Sequence, residues 1–359
     1  MSSFSNRLSR HQILSQYLPA VSQVQMLQCL AKAETTEGWG VNHVCRFKEI
    51  PVFVKRIPLT TQEYARAFDT SNHFQLPMYY HYGVGSAGFG AFRELATHIK
   101  CSQWVLHDQH RGFPLLYHYR VLPTSRPWKQ RSEAGFQKHL AFWHQNEKIA
   151  HYLKQRAQAP YEIMLFLEYF PHTLYRLSRE EPMQTLDLLL QADQSLQFLN
   201  QQGVLHLDAH LANLLSDGTD AYVSDFGLAL DRQFALDAEE TRFFEQHGAY
   251  DRAELLGCLN ILWMQAVQSL SPEDQARFEQ VLGVTNEAPL PQRLRAFFNH
   301  LQQPEIAPCI EQLWPSTLRE FAFRHQQALL HTADFFEDLY GHSRQDTHWT
   351  NPAIPAVLR

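Results

Sequence analysis

Residues 203–227 read GVLHLDAHLANLLSDGTDAYVSDFG, in which an H-x-D-x-x-x-x-N element, His206 to Asn213, precedes an Asp-Phe-Gly at 225–227. These residue types suit the movement of a phosphoryl group. An aspartate orients the attacking hydroxyl, while an asparagine and a second aspartate hold the magnesium that neutralises nucleotide phosphates. Asp208, Asn213 and Asp225 stand at the positions for those three roles.

Such residues need a scaffold that presents them together. Asn213-Leu214-Leu215, an Asp217-Gly218 turn and Ala221-Tyr222-Val223-Ser224 predict a short hairpin between the two motifs. Either motif alone is weak, and their order and spacing through a hairpin are the stronger signal. In this the chain resembles the protein-kinase-like superfamily. The resemblance implies an α+β, bilobal fold, with a small β-rich N-lobe carrying helical insertions and a large, mainly helical C-lobe. It implies ATP and magnesium as cofactors, Asp208, His210 and Asn213 as catalytic positions, and Asn213 and Asp225 as metal ligands.

The N-terminal half supplies further residues for that expectation. Pro51 to Ile57 is a β-branched run containing Lys55, which by resemblance reaches the α and β phosphates. Gly38 and Gly40 precede this strand and stand where a glycine-rich loop is expected, although the third glycine of the usual pattern is missing. Gly83, Gly85 and Gly88 do spell G-x-G-x-x-G, but they follow the lysine strand and read as a loop. Phe92, Leu95, Ala96 and Ile99 form a helical stripe beside Glu94, the expected carboxylate partner of Lys55, with Glu63 on a helix over Thr60 to Phe68 as its competitor.

Phe113 to Leu122 and Ile163 to Tyr169 read as strands, the second ending in Glu168-Tyr169-Phe170-Pro171. That run resembles a kinase hinge, with Leu167 as gatekeeper and adenine pairing to the backbone carbonyl of Glu168 and the amide of Phe170. Two stretches, about 59–89 and 124–160, exceed what a plain kinase needs and are expected to be insertions. The second carries Phe136, Leu140, Trp143, Ala150 and Leu153 at helical spacing. The expected organisation is a helical segment over 1–33, with Val21, Val24, Leu27 and Ala31 in register, an N-lobe over 34–170 and a C-lobe over 171–359.

Residues 183–202 place Leu186, Leu189, Ala192, Leu196 and Leu199 on one helical face, with Gly203 as a stop. Beyond Gly227 the chain reads as helices: one from Asp251 to Val267, one with a capped start at Ser271-Pro272, and others to about Tyr340. Asp251 either braces the catalytic loop or caps its own helix.

Composition narrows the classes. With 45% hydrophobic and 19% charged residues, the 359-residue chain has enough apolar material for two lobes. A net charge of -6 argues against nucleic acid as a partner, because phosphate binding needs clustered Lys and Arg. The five cysteines follow no C-x-x-C spacing and read as reduced thiols. No apolar run follows Arg7 and Arg10 as in a secretory signal, and Leu255 to Val267 is interrupted by Asn260 and Gln265. A cytoplasmic protein with no membrane partner is expected.

Three departures from the family bear on the acceptor. Leu207 replaces the arginine that receives an activation-loop phosphate, so phosphate-gated activation is not expected. His210 stands where serine/threonine kinases place lysine, as it does in aminoglycoside and choline kinases. An imidazole titrates near ~6.5 against ~10.4 for a lysine, so charge at this position depends on pH. No Ala-Pro-Glu follows Asp-Phe-Gly. The expected activity is transfer of the γ-phosphoryl group of ATP to a hydroxyl acceptor, a protein serine or threonine, with a small-molecule acceptor as the alternative. Two other readings are a metal-dependent phosphatase or hydrolase using His206, Asp208 and His210 on one strand face, and a nucleotide-binding pseudokinase.

Overall fold

A computed structural model describes residues 3–35, 41–83, 85–124, 128, 131–303, 307–341, 344–355 and 358. The chain is α+β. It begins with helices α1 (Ser3–Tyr17) and α2 (Gln23–Lys32), then strands β1 (Glu34–Thr35), β2 (Val41–Phe47) and β3 (Ile50–Leu59). Helices α3 (Thr61–Tyr64) and α4 (Ala91–Leu106), strand β4 (Leu116–Pro123), helices α5 (Glu133–Phe142) and α6 (Glu147–Ala157) and strand β5 (Tyr161–Glu168) follow. Next come β6 (His172–Thr173), α7 (Leu174–Glu180), α8 (Pro182–Gln201), β7 (Val204–Leu205), β8 (Leu214–Ser216), β9 (Ala221–Val223) and β10 (Leu230–Asp231). Helices α9 (Ala238–Gln246), α10 (Tyr250–Ser269), α11 (Pro272–Leu282), α12 (Leu290–Leu301), α13 (Pro308–Leu313), α14 (Ser316–Arg324) and α15 (Gln326–Gly341) complete it.

The chain divides into two compact units, Met1–Pro171 with Tyr222–Thr241, and His172–Ala221 with Arg242–Arg359. The first break falls after Pro171, and 222–241 lies with the first unit. The reason is electrostatic as well as apolar. Asp225, Asp231 and Glu240 are held by Lys55, Lys100 and Arg93, each at 2.7 Å.

In the first unit the strands form one antiparallel sheet in the order β1-β2-β3-β5-β4. Val52 and Val54 are buried on alternate positions of β3, and Lys55 pairs in register with Leu165 of β5. Ile57 and Leu59 of β3 pack with Ile163, Leu165 and Leu167 of β5 and with Phe92 and Leu95 of α4. This core fixes α4 against the sheet, and truncating Leu95 to alanine there costs about 2–5 kcal/mol.

The N-terminal helical segment forms, but Pro19 ends α1 in a short 3₁₀ turn over Leu18–Ala20. In α2 the buried face is Met26 and Leu30, and Val24 is 64% exposed, so the expected stripe through Val24 is the wrong face. The helix expected over Thr60 to Phe68 shortens to α3. The stretch 124–160 carries two helices, α5 and α6, with His144 and Gln145 at φ 54° and 53° turning the chain between them.

In the second unit α8 buries Leu186, Leu189, Ala192, Leu196 and Leu199 as expected, and Gly203 ends it at φ 79°. The Ser271 side chain caps α11 by accepting from the Asp274 amide. Between β8 and β9 the Asp217 carboxylate accepts from the amides of Thr219 and Asp220 and forms the turn. Past Gly227 the only described strand is the two-residue β10. Among the described residues no helix is long and apolar enough to cross a membrane.

Candidate functional site

In the first unit the sequence-predicted residues Lys55, Glu94 and Asp225 meet. The Lys55 ammonium lies 2.7 Å from Glu94 Oε1 and 2.7 Å from Asp225 Oδ1. Strand β3 supplies the lysine, the first turn of α4 supplies Glu94, and the Asp-Phe-Gly loop supplies Asp225. Glu63 is not the partner. Its Oε2 accepts from the Thr60 amide and hydroxyl in a capping box, and its Oε1 accepts from the Ala91 amide.

Burial opposes the lysine's charge, but the carboxylates of Asp225 and Glu94 outweigh it and hold the Lys55 pKa above its ordinary value. Burial likewise acts to raise Asp225, yet the Lys55 charge and hydrogen bond and the Gly227 amide bring it down to about 2. Glu94 moves the other way, up, because its burial exceeds the help from Lys55. Two carboxylates face one ammonium, and the Asp225 side chain keeps 36% exposure. Such a negative, accessible oxygen suits a hard divalent cation, and magnesium typically takes only one or two carboxylates from protein.

Asp225 sits at φ 61°, in the left-handed region. Gly227 follows because a Cβ there would stand 3.2 Å from Asp225 Oδ1 and 3.4 Å from Glu94 Oε2. Phe226 is fully buried, edge-on to His98 at 4.8 Å between ring centroids.

In the run expected to resemble a hinge, the side chains of Glu168 and Phe170 are committed internally. Arg7 of α1 donates from Nε and Nη2 to the Glu168 carboxylate at 2.9 and 2.8 Å, and to the carbonyls of Arg111 and Phe113 at 2.8 and 2.6 Å. The Glu168 amide donates to the Leu115 carbonyl. Phe170 stacks on Tyr222 at 3.9 Å, and the Arg7 guanidinium lies 4.7 Å from the Tyr222 ring centroid. Gly38 and Gly40, the expected glycine-loop residues, lie outside the described residues.

In the second unit the 206–213 loop holds Asp208, His210 and Asn213 together. Asn213 Nδ2 donates to the Asp208 carbonyl at 2.9 Å and to Asp208 Oδ2 at 2.8 Å. His210 Nδ1 accepts from the Ala212 amide at 3.2 Å, which assigns the neutral ring's proton to Nε2, 3.5 Å from Asp208 Oδ1.

Two carboxylates of α10 brace this loop from beneath. Asp251 accepts from the amides of His206 and Leu207, both at 2.7 Å, and Glu254 accepts from the Ala209 amide at 2.7 Å. Asp251 is therefore a loop brace. Burial pushes its pKa up to about 6 despite those two donors. Glu254 is raised well above the usual carboxylate range by burial, with the charges of Asp208 and Asp251 adding to it. Leu207 sits at φ 62°, a costly conformation for a branched side chain, and its bond to Asp251 holds it there.

That backbone overturns the strand-face metal site. Residues 206–210 lie outside any strand, Leu207 breaks the alternation, and His206 Nδ1 accepts from the Asp208 amide at 3.3 Å. Among the described residues no group of three or more His, Cys, Asp or Glu is arranged to hold a metal ion. Glu254, Arg7 and Gly88 are the residues that sequence reading misses. Glu254 is three positions after Asp251 on one helix face, a spacing that could have pointed to it.

No protein-family model matches the chain and no curated protein matches its sequence.

Proposed function

We propose that this chain is an ATP- and magnesium-dependent phosphotransferase with a bilobal, protein-kinase-like architecture, acting on a hydroxyl acceptor. The observation that carries the reading is Lys55 held at 2.7 Å by both Glu94 and Asp225, residues 39 and 170 positions away in sequence. An apolar core has no use for such a triad, since replacing buried ion pairs by packed hydrophobics is often neutral or stabilising. A phosphate site does need an oriented ammonium.

In this reading Lys55 binds the nucleotide's α and β phosphates, with Glu94 fixing its direction. Asp225 is the residue of the first unit to hold magnesium, which would supply neutralisation of phosphate charge. Asp208 orients the acceptor hydroxyl and accepts its proton, and Asn213 holds the Asp208 carboxylate in place through Nδ2. Asp251 and Glu254 keep the loop amides fixed so that this geometry precedes binding. The retained Lys55, Asp208, Asn213 and Asp225 favour an active enzyme over a pseudokinase.

A protein serine or threonine is the proposed acceptor, in a cytoplasmic setting that keeps the five free cysteines reduced. A small-molecule acceptor is favoured by one observation, the contact of His210 with Asp208 at the position where protein kinases carry lysine. Purified protein incubated with labelled ATP and a cell lysate separates the two: label in protein supports the first and label in small molecules the second. No transfer above an Asp208→Ala control would end the phosphotransferase reading.

A further inference from the structure

The glycines at 83, 85 and 88 have no role in the sequence reading, yet the structure gives one of them a close contact with the Asp-Phe-Gly loop. Gly83, Gly85, Gly88 and Gly90 all have positive φ, at 58°, 88°, 78° and 138°. A Cβ on Gly88 would stand 2.3 Å from the Gly227 carbonyl oxygen and 3.3 Å from its carbonyl carbon. Real Cβ atoms do not approach backbone so closely, so only glycine lets these two main chains touch.

The contact is backed on both sides. Gly227 donates its amide to Asp225 Oδ1 at 3.3 Å, and the space at its own Cα is closed by Asp225 and Glu94. On the other side Gly88 donates to Ser86 Oγ at 3.2 Å, and Ala87 donates to the hydroxyl of Tyr80, a fully buried residue, at 2.9 Å. His81 stacks on Phe89 at 3.6 Å. The chain then enters α4, where Glu63 accepts from the Ala91 amide one turn before Glu94. The stretch from Ser86 to Glu94 thus carries Glu94 at its end and meets Gly227 through Gly88.

We propose that Gly88, in backbone contact with Gly227, is a positioning residue that sets where Asp225 presents its carboxylate to magnesium and Lys55. This rests on the phosphotransferase reading. Gly88 meets this loop at the Gly227 main chain, two residues after Asp225. Second-layer supports of this kind typically change metal affinity about 10–100-fold.

The test compares Gly88→Ala with Gly283→Ala, a control at φ 68° whose added Cβ meets nothing within 4 Å. Binding of a fluorescent ATP analogue is titrated with and without magnesium, alongside thermal unfolding. Gly88→Ala should weaken magnesium-dependent binding about tenfold or more, leave magnesium-free binding close to wild type, and keep a folded transition. Gly283→Ala should alter neither titration. Should Gly88→Ala not fold, Tyr80→Phe removes the hydroxyl that fixes Ala87 and should shift the magnesium titration in the same direction by less. Wild-type magnesium dependence in a folded Gly88→Ala, or in Tyr80→Phe where Gly88→Ala is unfolded, overturns the proposal. Absence of nucleotide binding by the wild type overturns the phosphotransferase reading, and this proposal falls with it.

Discussion

Asn213 donates one side-chain nitrogen to both the carbonyl and the carboxylate of Asp208, at 2.9 and 2.8 Å. The two residues form one hydrogen-bonded unit, so their substitutions should not add. Asp208→Ala should lower the transfer rate by ~10²–10⁴, the range for a positioned acid or base. Asn213→Ala should cost nearly as much, and the double variant little more than the worse single. Single-turnover rates for the three variants check this, and full additivity would show that the pair does not act as a unit.

Lys55→Met leaves Glu94 and Asp225 facing each other without a cation. Breaking a buried pair costs ~3–5 kcal/mol, and the 36% exposure of the Asp225 side chain lowers the figure expected here to ~2–3 kcal/mol. In the wild type the pKa of Asp225 is depressed to about 2, so its stabilising contribution is full above the ordinary aspartate range and disappears as pH falls toward 2. Urea unfolding between pH 3 and 7 should show a shallower acid loss in Lys55→Met. Equal slopes would place the acid sensitivity elsewhere.

Asp251 has the opposite sign. Its pKa is raised to about 6 from 3.8, so the folded state holds the extra proton between those values. Its contribution to stability is full below about pH 4 and declines as pH rises to about 6, by on the order of 2–3 kcal/mol. Asp251→Asn removes this titration and one of the two acceptors for the His206 and Leu207 amides. Its unfolding free energy should be lower than wild type and flatter across that window, as read by denaturant titration at half-unit steps.

Arg7 is the sole residue of α1 with hydrogen bonds to Glu168 among those described, and it also satisfies two carbonyls. Arg7→Ala removes the counter-charge of a buried carboxylate, leaving it the Leu115 amide at 3.2 Å, and should cost ~3–5 kcal/mol. Arg7→Lys restores charge but not the two-pronged geometry, so it should recover only part of the loss. Differential scanning calorimetry of the three proteins orders them; a Lys variant equal to wild type would mean that charge alone matters here.

Local signals in the sequence reach far into this molecule. The face of α8, the Ser271 cap and the Asp217 turn are each written in adjacent residues, and each forms as expected. The pairing of Lys55 with Glu94 over Glu63 was also legible, though its physical cause was not, because the competitor is removed by its own capping box with Thr60. Hidden features are those made by distant partners. Nothing near Arg7 announces Glu168, 161 positions on. The glycines at 83–88 match a motif whose usual context is absent, and only three-dimensional contact reveals that Gly88 touches Gly227. The grouping of 222–241 with the first unit is hidden for the same reason, since that stretch is held by charges far upstream.

A first unit closed by Tyr222–Thr241 has a consequence for the order in which the protein can fold. Lys55 emerges during synthesis 170 residues before Asp225. At ~5–20 residues per second, that is a wait of about 10–35 s. Through that interval the nascent sheet has Glu94 but lacks its second counter-charge, as well as the Phe226 ring that packs beside His98 and Phe113. The whole of His172–Ala221 must leave the ribosome before the first unit is finished. A fragment ending at Pro171 is therefore a truncated unit, not an independent one, and any attempt to study the lysine strand by itself should carry the Asp-Phe-Gly segment with it.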